Sequence, residues 1–258
     1  MNKINKTFNE KKNRILSVYF TAGFPQLNDT NKILNGLIES GADMIEIGIP
    51  FSDPLADGPV IQHSSEAALK NGMNLKLLFE QLQTVNYKLQ SVPLLLMGYL
   101  NPVLQFGMEK FVLKCKEVGI DGVIIPDLPL AEFETHYKKL FSDNDLKNIF
   151  LVTPQTSEER LKKIDDISDS FIYMVSSSST TGMKKGFSEE QLNYFQRIKN
   201  SELKNPTLIG FGISDSEGFE KVCEYANGAI VGSAFVRRME DTSDIKKSIS
   251  EFVNGIKK

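Results

Sequence analysis

Short apolar runs with almost no internal polar alternation recur along the whole chain, and this narrows the fold more than any other feature. They are Ile15–Phe20, Met44–Ile47, Val92–Met97, Gly122–Ile125, Ile149–Val152, Phe171–Val175, Thr207–Phe211 and Ala229–Val231. A strand with one wet face would alternate polar and apolar residues, so these runs read as parallel strands buried on both faces. Amphipathic helices fill the intervals. Met108, Phe111, Val112, Cys115 and Val118 mark one apolar stripe, and Ile245, Ile249, Phe252, Val253 and Ile256 another. Capping-box spacing at Thr156/Glu159, Ser188/Gln191 and Ser214/Glu217 marks helix starts. A weak echo of helix end, small residues and strand recurs at 39–43, 117–121 and 224–228, with a glycine suited to a left-handed helix cap. Eight strand–helix units in 258 residues predict one (β/α)8 TIM-barrel domain over 1–258, with a short N-terminal helix at about 2–12. A doubly wound open sheet is the other topology with this alternation.

Composition removes several function classes. A net charge of −3 gives no basic footprint for nucleic acid. Cys115 and Cys223 sit in helical patterns among apolar neighbours and read as small buried hydrophobes in a reducing compartment. His63 and His136 are far apart and lack metal-ligand spacing, which argues against a histidine-held metal or a Ser-His-Asp triad. No apolar leader opens the chain and no run reaches membrane-spanning length, so a cytoplasmic protein is expected.

The stretch from Asp43 to Pro59, DMIEIGIPFSDPLADGP, carries the strongest chemical signal. Glu46 interrupts a run that otherwise reads as a buried strand, where a carboxylate needs a partner or a task. The following loop presents Asp53 and Asp57 in a frame stiffened by Pro50, Pro54 and Pro59. An acid–base site and a rim salt bridge beside a polar turn both fit this pattern. In a barrel, chemistry belongs at the C-terminal strand ends. Tyr173 and Asp127 stand there too, Tyr173 as a site residue or a core aromatic, Asp127 as a site residue or a turn cap. Late in the chain Gly210-Phe211-Gly212-Ile213-Ser214 and Gly232-Ser233-Ala234 follow the seventh and eighth strands. Glycines there leave backbone N–H groups free at helix starts, a frequent phosphate cradle in barrels, although glycines also serve plain turns.

These residues resemble the tryptophan synthase α-subunit family over nearly the full length. The match rests on EIGIPFSDPLADGP, Tyr99-Leu100-Asn101-Pro102, PDLP at 126–129, GFGIS at 210–214 and VGSA at 231–234. The resemblance implies a lyase cleaving indole-3-glycerol phosphate to indole and glyceraldehyde 3-phosphate without a metal or organic cofactor. It also implies a pyridoxal-phosphate-dependent β subunit that receives the indole, in an α2β2 heterotetramer. By position, Glu46 corresponds to the acid–base glutamate and Asp57 to the aspartate facing the indole nitrogen. Tyr173, Thr181, Gly182, Phe211, Gly212, Gly232 and Ser233 correspond to substrate and phosphate contacts. The outer part of the acidic loop, Pro50, Asp53 and Pro54, is expected to dock the β subunit. The lid departs from the family pattern: Ser176 to Gly182 keeps Thr181 and Gly182 but lacks the usual arginine and internal glycine, leaving Lys184 or Lys185 as nearby cations. Three other readings stay open: a free-standing lyase, a different sugar-phosphate barrel, and a weakly catalytic regulatory subunit.

Overall fold

The computed structural model describes residues 1–84, 91–175, 186–210 and 212–258. Its strands are β1 (Ile15–Thr21), β2 (Met44–Gly48), β3 (Leu94–Met97), β4 (Gly122–Ile124), β5 (Lys147–Val152), β6 (Ile172–Val175), β7 (Thr207–Gly210) and β8 (Gly228–Val231). They pair in parallel in sequence order, and β8 closes onto β1. Closure decides for the barrel over the open sheet. Strand limits agree with expectation to within about two residues, the ordinary scatter of element ends.

The helices are α1 (Lys3–Lys11), α2 (Thr30–Glu39), α3 (Pro59–Lys70), α4 (Leu75–Gln83), α5 (Leu100–Phe106), α6 (Met108–Val118), α7 (Leu130–Glu132), α8 (Lys138–Asp143), α9 (Glu158–Ile167), α10 (Glu189–Lys199), α11 (Ser216–Cys223), α12 (Ser233–Glu240) and α13 (Ile245–Ile256). The stripe on α6 is buried throughout, as its spacing predicts. Ser188 and Gln191 form a capping box on α10. The other two caps fall one residue later than expected. Ser157 caps α9 and Asp215 caps α11, because each of these neighbours also carries an oxygen able to reach the third helical N–H. Gly41 and Gly119 take φ of 84° and 85°, the left-handed helix exit. Gly228, in the third echo, lies inside β8 instead, where an added Cβ would overlap the Ile15 carbonyl. Cys115 is fully buried, but Cys223 is only partly so.

Side chains alternate across each strand, so residues two apart share a face. Ile15, Met44, Leu95, Ile124, Ile149, Phe171, Leu208 and Ile230 point into the barrel and form one cluster. Ile4 and Phe8 of α1 join it from the N-terminal end, with Phe8 and Phe171 ring centroids 5.6 Å apart. A side chain on Gly122 would come 2.8 Å from Ile4, so that glycine makes room for the plug. A larger cluster lies between the strands and the helices. The same alternation, counted two residues on from Ile15, Met44 and Phe171, turns Ser17, Glu46 and Tyr173 inward.

Candidate active site

Glu46 pairs in register with Tyr19 across the β1–β2 ladder and is completely buried. Ser17 Oγ donates to its Oε1 at 2.7 Å, while its Oε2 has no hydrogen-bond partner. Burial pushes its pKa up to about 7, and the single Ser17 bond only partly opposes this. A carboxyl left in this state sits halfway between acid and base at neutral pH.

Asp57 reaches the site from the loop after β2. Two turns fold that loop, through Leu55 N–H to Asp53 O at 2.9 Å and Asp57 N–H to Pro54 O at 3.0 Å. Gln62 of α3 donates to the Asp57 carbonyl at 2.9 Å. The Tyr99 hydroxyl donates to Asp57 Oδ2 at 3.0 Å and accepts the Ala56 N–H at 3.0 Å, while its ring stacks on Phe51 at 5.1 Å. Burial raises Asp57 to about 6, with the Tyr99 bond opposing. Asp57 thus keeps its charge at neutral pH more readily than Glu46.

Tyr19, Asp57, Ser65, Met97, Tyr99 and Pro126 line a small pocket. Glu46 is not on its wall. Burial raises the pKa of both Tyr19 and Tyr173, and the negative charges of Asp57 and Glu46 add to it, placing all four groups in one electrostatic neighbourhood. Two glycines allow this: a side chain on Gly48 would overlap the Tyr19 ring, and one on Gly210 would overlap Tyr173. Tyr173 is buried inside the barrel among its core residues, as the core reading expects.

After β8, which neighbours β1, α12 starts at Ser233 behind Gly232 with no side chain capping its first turn. Ser233 is exposed and Gly232 partly so. Gly212 has φ of 80°, which favours glycine there. Thr181, Gly182 and Phe211 lie outside the described residues. In the outer loop Asp53 is exposed and Pro54 half-buried, but Pro50 is buried and offers no surface in the isolated chain. Asp127 accepts the N–H of Leu100, the first residue of α5, at 2.8 Å, a bond to a neighbouring element and not to the turn that follows it. Among the described residues no group of His, Cys, Asp or Glu could hold a metal ion, and no helix is long and apolar enough to cross a membrane.

Sequence reasoning passed over Ser17, Tyr19 and Tyr99 as site residues. Ser17 and Tyr19 share the inward parity of Ile15, a signal for both, whereas the bond of Tyr99 to Asp57 joins positions 42 residues apart and leaves none.

The sequence matches the family described as "Tryptophan synthase alpha chain" over residues 5–256. It is 55% identical to the tryptophan synthase alpha chain of Flavobacterium psychrophilum, over 99% of this chain and 100% of that one. Identity to the Christiangramia forsetii alpha chain is 52%, over 100% and 99%. The crystal structure of tryptophan synthase subunit alpha from Legionella pneumophila superposes with a TM-score of 0.88 at 32% identity, covering 100% of this chain and 97% of that one. With a closed barrel, two carboxyls at its C-terminal end and a match along nearly its whole length, the chain belongs to the tryptophan synthase alpha chain family.

Proposed function

We propose that Glu46 and Asp57 carry out the cleavage of indole-3-glycerol phosphate that defines this lyase family. The observation that carries the reading is Glu46 itself, a carboxyl completely buried in the middle of β2 with one oxygen unpartnered. The bond to be broken joins indole C3 to a carbon bearing a hydroxyl. Protonated Glu46 delivers its proton to C3, giving a cationic indolenine. The resulting carboxylate takes the hydroxyl proton as the carbon–carbon bond breaks. The bond's electron pair returns to the ring, the aldehyde forms, and Glu46 ends protonated as it began. Ionised Asp57, held by Tyr99, faces the ring N–H and stabilises the positive charge that develops there. Since solvent does not reach Glu46, the bound substrate has to meet a rotated Glu46 side chain or shifted neighbours.

The phosphate rests on backbone N–H groups of Gly212, Gly232 and Ser233. The lack of steric overlap at Gly232 supports this, because the atoms nearest an added Cβ are those of Tyr19, at an ordinary 3.5 Å. A bulky residue at 232 should raise KM by crowding the anion; a phosphate analogue bound elsewhere in a crystal refutes the placement.

Family membership implies a β-subunit partner. The finer reading is an α2β2 complex in which pyridoxal phosphate belongs to the β subunit and Asp53 with Pro54 forms part of the docking surface. Calorimetric titration with a β subunit, with and without an indole-propanol-phosphate ligand, tests it. No association in either condition favours the free-standing lyase. Association that ignores the ligand removes the coupling. For the chemistry, Glu46→Gln is the decisive variant: it should fold and lose turnover, and full activity refutes the assignment.

A further inference from the structure

We infer that the Tyr19 phenol oxygen accepts a hydrogen bond from the middle hydroxyl of the substrate's glycerol chain, making Tyr19 a substrate-contacting residue for a polyol phosphate. The inference rests on the assignment of indole-3-glycerol phosphate as substrate. The hydroxyl that reacts is the one next to the indole; the middle hydroxyl lies between it and the phosphate-bearing carbon.

Hydrogen bonding around Tyr19 has a direction. Ser64 Oγ donates its one proton to the Ile61 carbonyl at 2.9 Å. The Thr21–Ser64 hydroxyl contact of 2.7 Å must therefore be donated by Thr21. Thr21 then has only lone pairs for Tyr19, whose hydroxyl is 3.4 Å away. The phenol proton is drawn toward Thr21, and the phenol lone pairs remain for another donor. A long bond of this kind leaves a buried tyrosine hydroxyl short of the partners it usually finds.

Tyr19 also stands where a glycerol chain has to pass. It lines the pocket shared with Asp57. Its hydroxyl lies over Gly48, two residues beyond Glu46. Its Cβ is among the atoms nearest Gly232, the residue before α12, at 3.5 Å from where a side chain there would begin. An indole held by Asp57 and a phosphate held at Gly232 are joined by the glycerol carbons, so the ligand itself carries a hydroxyl past the phenol oxygen.

The test pairs a protein change with a ligand change. Tyr19→Phe is assayed with indole-3-glycerol phosphate and with the analogue lacking only the middle hydroxyl, which cleaves to indole and 3-phosphopropanal. Tyr19→Phe should raise KM about three- to tenfold for the full substrate, the worth of one neutral hydrogen bond, with kcat little changed. For the analogue the two proteins should agree. Binding of indole-propanol phosphate, which has no free glycerol hydroxyl, should also be equal and reports that the variant site is intact. A penalty of the same size with both substrates, or none with either, overturns the inference. Failure of the underlying assignment is separate, since it appears as full activity in Glu46→Gln.

Discussion

At the N-terminal end of the barrel, carboxylates meet cations and backbone N–H groups. Asp43 accepts the Leu16 N–H at 2.9 Å and pairs with Lys11 at 2.6 Å and Lys257 at 3.0 Å. Asp121 accepts the Leu94 N–H at 2.9 Å and pairs with Lys3 at 3.0 Å. At the C-terminal end, Glu46 and Asp57 meet hydroxyls, Ser17 and Tyr99. Burial raises Asp121 as well, but there the Lys3 charge is the largest opposing influence. Nothing of that kind opposes burial at Glu46. One end of the fold ties its acids to cations and strand starts, and the other leaves its acids bonded only to hydroxyls, the setting the proposed acid–base role requires.

Three substitutions try to break that contrast. Glu46→Gln keeps size and removes the proton, so kcat should fall about 10³-fold, the range of acid–base catalysis, in a steady-state indole-release assay. Asp57→Asn should cost about 10²-fold. It should also change the pH profile. Glu46 must start protonated and Asp57 ionised, so kcat/KM should fall above about 7 and below about 6. Asp57→Asn should lose the acid limb and keep the alkaline one; a variant retaining both limbs would show that Asp57 does not set the lower one. Lys3→Met acts at the other end. It should lower unfolding free energy by about 1–3 kcal/mol, as for loss of a hydrogen-bonded charge, while turnover per folded molecule stays unchanged. Lost turnover with unchanged stability would reverse the assignment of the two ends.

A smaller effect is expected at the rim. Asp53 is exposed and bonded by Ser52 Oγ at 2.5 Å. Asp53→Ala should weaken β-subunit association or coupling in calorimetry while basal cleavage persists. Loss of basal cleavage alone would move the boundary between docking and chemistry along this loop.

The barrel was legible because eight non-alternating runs leave few alternatives, and Glu46 stood out by breaking one of them. Asp57 came from its motif. Tyr99 was not legible as a site residue, since its bond to Asp57 joins positions 42 residues apart and exists only once β2 and β3 are side by side. Tyr19 was hidden among the apolar residues of β1, where only inward parity separates it from Phe20. Pro50 read as loop surface but is buried, because the barrel wall continues past the end of β2.

The uncompensated burial of Glu46 is tested most directly by unfolding free energies of the native protein and Glu46→Gln at pH 5 and pH 8. The folded pKa of about 7 lies above the ordinary value of 4.5, so the folded state holds the proton more tightly and its stability falls as pH rises between those values. The native protein should lose roughly 2–3 kcal/mol more than the variant between pH 5 and pH 8. Parallel changes in the two proteins would contradict the account, because Glu46 would then be no costlier to ionise in the folded barrel than in the unfolded chain.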